Sequence, residues 1–383
     1  MKCSKDIVYI GADDMELDLF EGQYIIPDGI SYNSYLIEDE KIAVMDTVDK
    51  AKVEKWLDNL DDALHGRQPD YLVVSHMEPD HSAGILAFAI KYPNAVIVGN
   101  AKTFDMFTRF FKAELPNKLV VKEGDKLALG AHELTFYTAP MVHWPEVMVS
   151  FEAKDGVLFS ADAFGKFGAL AVDDDDWACE ARRYYFNIVG KYGAQVQALL
   201  KKLAALDIKA ICPLHGPVLN ENLSYYVNLY DVWSSYRAED EGTFIACASI
   251  YGNTAQAADA LAEELRSRGE KVVVTDLARC DIAEAVEDAF RYSRMVLAAP
   301  TFDGGIFPIM DEFIAHIKSK NYQNRKVAFI ENGSWAPMSA KLMRAALEGQ
   351  KNIAFTDTVI TCRSSVPDDL EDVCKKVADE LLA

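Results

Sequence analysis

The 383-residue chain is poor in basic charge: 39 Lys and Arg stand against 60 Asp and Glu, a formal net charge of −21. Such a surface repels phosphate backbones and anionic headgroups, which excludes nucleic-acid and membrane-surface roles. No apolar run reaches the roughly 18 residues that a membrane-crossing helix needs. The opening MKCSKDIVYIGADD turns acidic too early for a secretory signal, so a soluble, cytoplasmic protein is expected. Seven cysteines (Cys3, Cys179, Cys212, Cys247, Cys280, Cys362 and Cys374) are scattered, with no Cys-x-x-Cys pair. That argues against a disulfide scaffold and against a four-cysteine iron or zinc site, and predicts reduced, mostly buried thiols. There is no Gly-x-Gly-x-x-Gly for a dinucleotide and no Walker lysine for ATP. Nor is there a disorder signature, since half the residues are apolar and no tract is repetitive.

What is present falls into two halves. From residue 243 onward, strands and helices alternate. TFIACASI (243–250), KVVVTDLA (271–278), SRMVLAAP (293–300) and RKVAFIEN (325–332) are continuous apolar runs, the pattern of parallel strands buried on both faces. The helix between the first two carries Ala257, Leu261 and Leu265 at helical spacing and ends at Gly269. A fifth strand at DTVITC (357–362) and a last helix after Pro367 complete an open, doubly wound α/β sheet of flavodoxin size. The first 235 or so residues are mixed α/β with antiparallel pieces, including a hairpin expected at Asp155-Gly156. The boundary is expected in the polar stretch 234–243, giving domains 1–238 and 243–383. The acidic run DDDD (173–176) is expected to be a solvated loop.

Four places in the first half share one pattern, an apolar run followed at once by a metal-ligand residue type. YLVVS runs into His76-Met77-Glu78-Pro79-Asp80-His81, LTFYTAPMV into His143, VLFSA into Asp162, and IKAICPL into His215. Layered α/β folds carry functional side chains on such loops, where a rigid sheet holds them. Four of the seven histidines occupy these positions, whereas His65, His132 and His316 are expected to be ordinary loop or surface residues. A single histidine is commonly structural, but two imidazoles and two carboxylates within six residues cannot all be buried without a neutralising partner. With His143, Asp162 and His215 they make seven ligands, enough for two metals and one bridging carboxylate.

The second half carries three loops after successive strands. Ser249-Ile250-Tyr251-Gly252-Asn253-Thr254 opens straight into a helix, whose unpaired N–H groups and dipole suit a phosphate. Ser249, Asn253 and Thr254 add side-chain donors, and Gly252 permits close backbone approach. Pro300-Thr301-Phe302-Asp303-Gly304-Gly305 follows the third strand, and Asn332-Gly333-Ser334-Trp335 the fourth. Glycines and aromatics beside the topological switch point suit a flat ring on Phe302 or Trp335, and the expected ligand is FMN.

The metal loops resemble the metallo-β-lactamase motif His-x-His-x-Asp-His, with one departure: Glu78 stands where the second histidine belongs. A carboxylate there hardens the site and favours iron or manganese over zinc. The glutamate variant resembles the flavodiiron proteins, as do His143-Trp144-Pro145-Glu146, Ser160-Ala161-Asp162-Ala163-Phe164-Gly165, Leu214-His215-Gly216-Pro217, Tyr32-Asn33-Ser34-Tyr35-Leu36 and Ala181-Arg182-Arg183-Tyr184-Tyr185. The resemblance covers essentially the whole chain.

It implies a metallo-β-lactamase-like αββα sandwich followed by the flavodoxin-like sheet. It implies two irons per subunit, one on His76, Glu78 and His143, the other on Asp80, His81 and His215, with Asp162 bridging. The family does not always use the residue equivalent to His81. Tyr184 or Tyr185 would donate a hydrogen bond in the pocket; from the residues alone, both equally fit an aromatic helix face in a core. The implied activity is reduction of dioxygen to water or of nitric oxide to nitrous oxide, with electrons passing through FMN. The electrons would come from a separate donor such as rubredoxin, because no rubredoxin domain follows; rubredoxins are themselves acidic, so the charge of this chain does not support that choice. The implied assembly is a head-to-tail homodimer or a dimer of dimers. Two rivals remain: a zinc hydrolase of the metallo-β-lactamase fold with a flavodoxin appendage, and an electron carrier with an inert N-terminal half.

Overall fold

The computed structural model describes residues 4–172 and 176–383. Asp173, Asp174 and Asp175 of the acidic run lie outside the described residues; Asp176 caps the helix Trp177–Tyr184 by accepting the N–H of Ala178. The chain divides into two compact units. One comprises Met1–Tyr185 with Ala194–Asp231, the other Phe186–Gly193 with Val232–Ala383.

The first unit is a sandwich of two sheets. In spatial order the first holds Ile7–Tyr9, Tyr35–Ile37, Ala43–Met45, Tyr71–Val73, Val96–Gly99 and Lys118–Val120, antiparallel up to the third strand and parallel beyond it. The second holds Lys126–Ala128, Glu133–Thr138, Met148–Glu152, Val157–Phe159 and Ala210–Cys212, antiparallel except for its last pair. Alternate residues (Tyr35 and Ile37, Met45, Val73 and Val98 from one sheet; Leu134 and Phe136, Met148, Val157 and Phe159 from the other) meet in a single core. The strand residues between them, such as Leu36, Val44 and Leu72, are buried too, because helices cover the outer face. Helix Val53–Leu64 buries Trp56, Leu60 and Leu64, spaced four apart on one stripe. The expected hairpin joins Met148–Glu152 to Val157–Phe159. Its Gly156 has φ 74°, and a Cβ there would meet the Asp207 carbonyl oxygen at 2.7 Å, so only glycine fits.

The second unit is a five-stranded parallel sheet. Its spatial order is Val272–Asp276, Asp240–Cys247, Tyr292–Phe302, Arg325–Asn332 and Ile353–Cys362, with the short Gly305–Ile306 antiparallel to the end of the third strand. In chain order this is 2-1-3-4-5, the doubly wound arrangement whose switch point lies between the first and third strands. Helix Asn253–Ser267 packs Ala257, Leu261 and Leu265 into the core against Ile245, Val296 and Ile330. The segment 186–193 belongs to this unit: Phe186 stacks on Phe290 with centroids 4.4 Å apart, and the Asn187 side chain donates to the Ala283 carbonyl at 3.1 Å. Cys212, Cys247, Cys362 and Cys374 are buried, Cys280 is half-buried and Cys179 is exposed, with no disulfide among the described residues; Cys3 lies outside them.

Candidate functional site

In the first unit, the seven candidate ligands converge. Beyond Tyr71–Val73, the buried carboxylate of Asp46 accepts the N–H groups of Ser75 (2.6 Å) and His76 (3.4 Å), fixing the start of the ligand loop. Glu78 precedes the short helix Pro79–Ser82, which turns Asp80 and His81 inward. His143 follows Glu133–Thr138, Asp162 follows Val157–Phe159, and His215 follows Ala210–Cys212. Met141 (φ 65°) and Ala161 (φ 51°), one or two residues ahead of their ligands, sit in the left-handed region. Each costs about 1–2 kcal/mol, tolerated because the strands behind them dictate the path.

The ligand atoms form two groups that share one residue. His76 Nε2 lies 3.2 Å and His143 Nε2 2.9 Å from Glu78 Oε2, and the same nitrogens lie 3.2 and 3.4 Å from Asp162 Oδ2. His81 Nε2 and His215 Nε2 each lie 3.3 Å from Asp80 Oδ2 and 3.4 and 3.9 Å from Asp162 Oδ1. The two rings approach to 3.1 Å between their Nε2 atoms. Asp162 therefore turns one oxygen to each group.

Electrostatics shows what this cluster is suited to hold. Burial opposes charge on His76, yet Asp162, Glu146 and Glu78 raise its pKa well above the ordinary histidine value. Burial likewise opposes charge on Asp162 and Glu78, but the surrounding imidazoles hold both carboxyls well below the usual range. Buried imidazoles and carboxylates interleaved this closely suit a cation that neutralises the carboxylates.

The second unit carries a cleft of about 490 Å³, a volume suited to a cofactor, at the carboxyl ends of its first, third and fourth strands. Ser249, Ile250, Tyr251, Asn253 and Thr254 line one side; Pro300, Thr301, Phe302, Asp303 and Gly304 a second; Asn332, Gly333, Ser334 and Trp335 a third. Gly252 and Gly305 shape the backbone instead of lining the cleft. Gly252 takes φ 92° as the residue before helix Asn253–Ser267, which starts without a side-chain cap. Ser249 Oγ accepts the N–H groups of Gly252 (3.1 Å) and Ala255 (3.3 Å) and keeps its own O–H to donate.

Comparison with known proteins agrees with both halves. Residues 30–216 match the ODP family beta lactamase model and residues 244–356 the flavodoxin domain model. The chain is 30% identical over 342 residues to the anaerobic nitric oxide reductase flavorubredoxin of Vibrio vulnificus, covering 86% of this chain and 69% of that protein. It superposes on the rubredoxin oxygen:oxidoreductase of Desulfovibrio gigas with a TM-score of 0.92 at 25% identity, covering 100% of this chain and 97% of the other. The chain belongs to the flavodiiron proteins. The flavodiiron protein of Giardia intestinalis shares the fold, with a TM-score of 0.88 at 23% identity over 99% of this chain and 95% of that one.

As a flavodiiron protein it is an oxidoreductase that uses FMN and a pair of irons, and the residues fit both. The buried Asp80 and Asp162 carboxylate oxygens face the ligand imidazoles without a well-formed hydrogen bond among the described residues, as suits oxygens that would hold a cation. The ligand set of imidazoles and carboxylates without thiolate suits iron. The cleft offers helix-terminal N–H groups at one end and aromatic rings at another.

Several residues around the flavodiiron centre escaped sequence reasoning. Glu146 accepts from His76 Nδ1 at 2.7 Å and from the Met77 N–H at 2.8 Å. The Ser31 carbonyl accepts from His215 Nδ1 at 2.7 Å, while the Asn33 side chain donates to the carbonyls of Pro213 (2.9 Å) and Gly216 (2.7 Å). A partner for each ligand histidine is a general requirement, but nothing in the sequence says which residue supplies it. In the cleft, Ala336, Met338 and Ser364 were missed. Ser364 follows the fifth strand, Ile353–Cys362, so the strand-end rule could have found it.

Tyr184 is fully buried with its ring 5.6 Å from that of His215. Burial and the charges of Asp162, Asp80 and Glu78 raise its pKa far above the ordinary phenol, so it keeps its proton. Tyr185 turns instead toward Tyr230, ring centroids 5.1 Å apart. His65 follows helix Val53–Leu64 as an exposed residue and His316 lies half-buried in helix Pro308–Ser319 of the second unit; neither joins a group of ligand residues. His132 also lies in a loop, but it is fully buried: Lys154 Nζ donates to its Nε2 at 2.9 Å, and its Nδ1 is 3.0 Å from Glu152.

Proposed function

We propose that this chain accepts electrons on FMN and uses them at its iron pair to reduce dioxygen to water, nitric oxide to nitrous oxide, or both. The observation that carries the reading is the position of Asp162, one oxygen toward each of two groups of ligand atoms. His76, Glu78 and His143 would hold one iron; Asp80, His81 and His215 the other; Asp162 would bridge. The closeness of His81 Nε2 to Asp80 and His215 supports counting it among the ligands. When bound, FMN supplies one- or two-electron storage and the irons supply a reducing binding point for a small oxidant.

The chain's own residues supply the rest. Seven side chains on strand-end loops would hold the irons in a rigid frame. Burial keeps bulk water from the ligand atoms, which strengthens every charge interaction among them. Tyr184, which keeps its proton and packs beside the His215 ring, would donate a hydrogen bond in the pocket. In the cleft, the N–H groups at the start of helix Asn253–Ser267, with the side chains of Ser249, Asn253 and Thr254, would hold the phosphate, and Phe302 or Trp335 would take the ring.

The donor is proposed to be a separate rubredoxin-like protein and the location the cytoplasm; no helix among the described residues is long and apolar enough to cross a membrane. A head-to-tail homodimer, alone or paired into a tetramer, would bring the FMN of one copy to the irons of the other. The nearly fully exposed Tyr251 (92%) and Trp335 (89%) at the cleft support it, since such aromatics suit a covered surface. One preparation tests the function: reduce the protein anaerobically, then measure dioxygen and nitric oxide consumption separately. Consumption of either supports the reading, and neither gas being consumed by protein containing FMN and two irons overturns it.

A further inference from the structure

The two groups of ligands are backed differently. Behind His76 stands a carboxylate: Nδ1 donates to Glu146 Oε1 at 2.7 Å, and the Met77 N–H donates to the same oxygen at 2.8 Å. Glu146 is itself buried (1% exposed) and its backbone is tied down. Asn100, which caps helix Ala101–Phe111 by accepting the N–H groups of Lys102 and Thr103, donates its side-chain amide to the Glu146 carbonyl. Lys102 Nζ donates to the neighbouring Pro145 carbonyl at 3.2 Å. Behind His215, in the other group, stands only a neutral acceptor, the Ser31 carbonyl, at 2.7 Å. Each bond fixes the tautomer that leaves Nε2 free to ligate, but only the carboxylate adds charge.

That difference has electronic consequences. An imidazole whose Nδ1–H is held by a carboxylate is a stronger donor at Nε2 than one held by an amide carbonyl. Beyond the three ligand carboxylates Glu78, Asp80 and Asp162, Glu146 sets a buried negative charge directly on the Nδ1 of one ligand ring; the buried Asp46 carboxylate instead accepts the backbone N–H groups of Ser75 and His76. In a dry site an extra negative charge stabilises a trivalent ion more than a divalent one. We infer that Glu146 is a positioning residue that makes the two metal positions unequal: the His76–Glu78–His143 position holds its metal more tightly and is the first to give up an electron. When an external one-electron oxidant removes one electron from the fully reduced pair, the ferric charge then resides on the His76 side. This rests on the di-iron reading above.

The test compares the parent chain with Glu146→Gln, which keeps an acceptor of the same shape and removes the charge. Both are stripped of metal, reloaded anaerobically with ferrous iron, and titrated with ferricyanide under potentiometric control, with electron paramagnetic resonance and Mössbauer spectra of the half-oxidised state. In Glu146→Gln, metal affinity at one of the two positions should fall roughly 10- to 100-fold. The first oxidation should move to higher potential and the half-oxidised signal should change, while the FMN potentials stay where they were. An unmoved first potential with an unchanged signal overturns the inference. A parent chain that takes up no iron sinks the di-iron reading itself, a different outcome from two irons that ignore Glu146. Should Glu146→Gln load no iron, Glu146→Asp decides: restored loading with a first potential at or near the parent's supports the role of charge, and continued failure in a chain that still binds FMN overturns it.

Discussion

Trp335 offers a test in which binding and folding separate cleanly. Its side chain is 89% exposed at the edge of the cleft, so truncating it opens no cavity and breaks no core contact. The stability of the flavin-free protein should therefore change by no more than about 0.5 kcal/mol in Trp335→Ala. If the flavin ring lies on the indole, one face of roughly 100 Å² leaves water on binding, worth about 2.5 kcal/mol at about 25 cal/mol per Å². Fixing a mobile side chain gives back about 0.5–1.5 kcal/mol. The net of about 1–2 kcal/mol predicts a Kd for FMN about 5- to 30-fold weaker. The assay is fluorescence titration of flavin-stripped protein, with thermal unfolding of the same sample as control. Phe302 is the contrast, because it is 41% exposed and packs edge-on against Phe307 at 5.5 Å, so Phe302→Ala should also lower the unfolding temperature. If Trp335→Ala binds FMN within twofold of the parent while Phe302→Ala binds weakly, the ring rests on Phe302 and the reasoning about Trp335 is wrong.

Other consequences can be checked in parallel. Purified protein should carry about two irons per chain and little zinc, whereas stoichiometric zinc from iron-replete cells would favour the hydrolase rival. His143→Ala should lose iron and gas consumption but keep its yellow flavin, since ligands and cleft lie in different units. Asn253→Ala with Thr254→Ala removes two donors worth roughly 1.5–3 kcal/mol each toward a charged group, so FMN affinity should drop at least about tenfold with iron content unchanged; an unmoved affinity would put the phosphate elsewhere. Mixing that flavin-deficient chain with His143→Ala under subunit exchange should restore activity across the dimer, and inactive heterodimers would show that transfer runs within one chain.

Much of this protein is decided by local pattern. Continuous apolar runs of strand length such as RKVAFIEN have the pattern of strands covered on both faces, and the loops that follow parallel strands sit at one end of a sheet. That is why His76, His143, Asp162 and His215, each placed just past such a run, are legible in the sequence as parts of one site. The turn at Gly156 was equally legible, because Asp-Gly between two apolar runs is a local hairpin signal. Tertiary structure alone decided the rest. Glu146 and Ser31 lie 70 and 184 residues from the histidines they hold, and no periodicity links such pairs. His132 reads as a loop residue from its neighbours, yet the fold buries it against Glu152 and Lys154. Which oxygen of Asp162 faces which histidine depends on four loops meeting from two sheets, a distance relation that a one-dimensional pattern does not contain. Residue type and spacing state what a site is made of; only the packed chain sets the charge and the hydrogen bond behind each ligand.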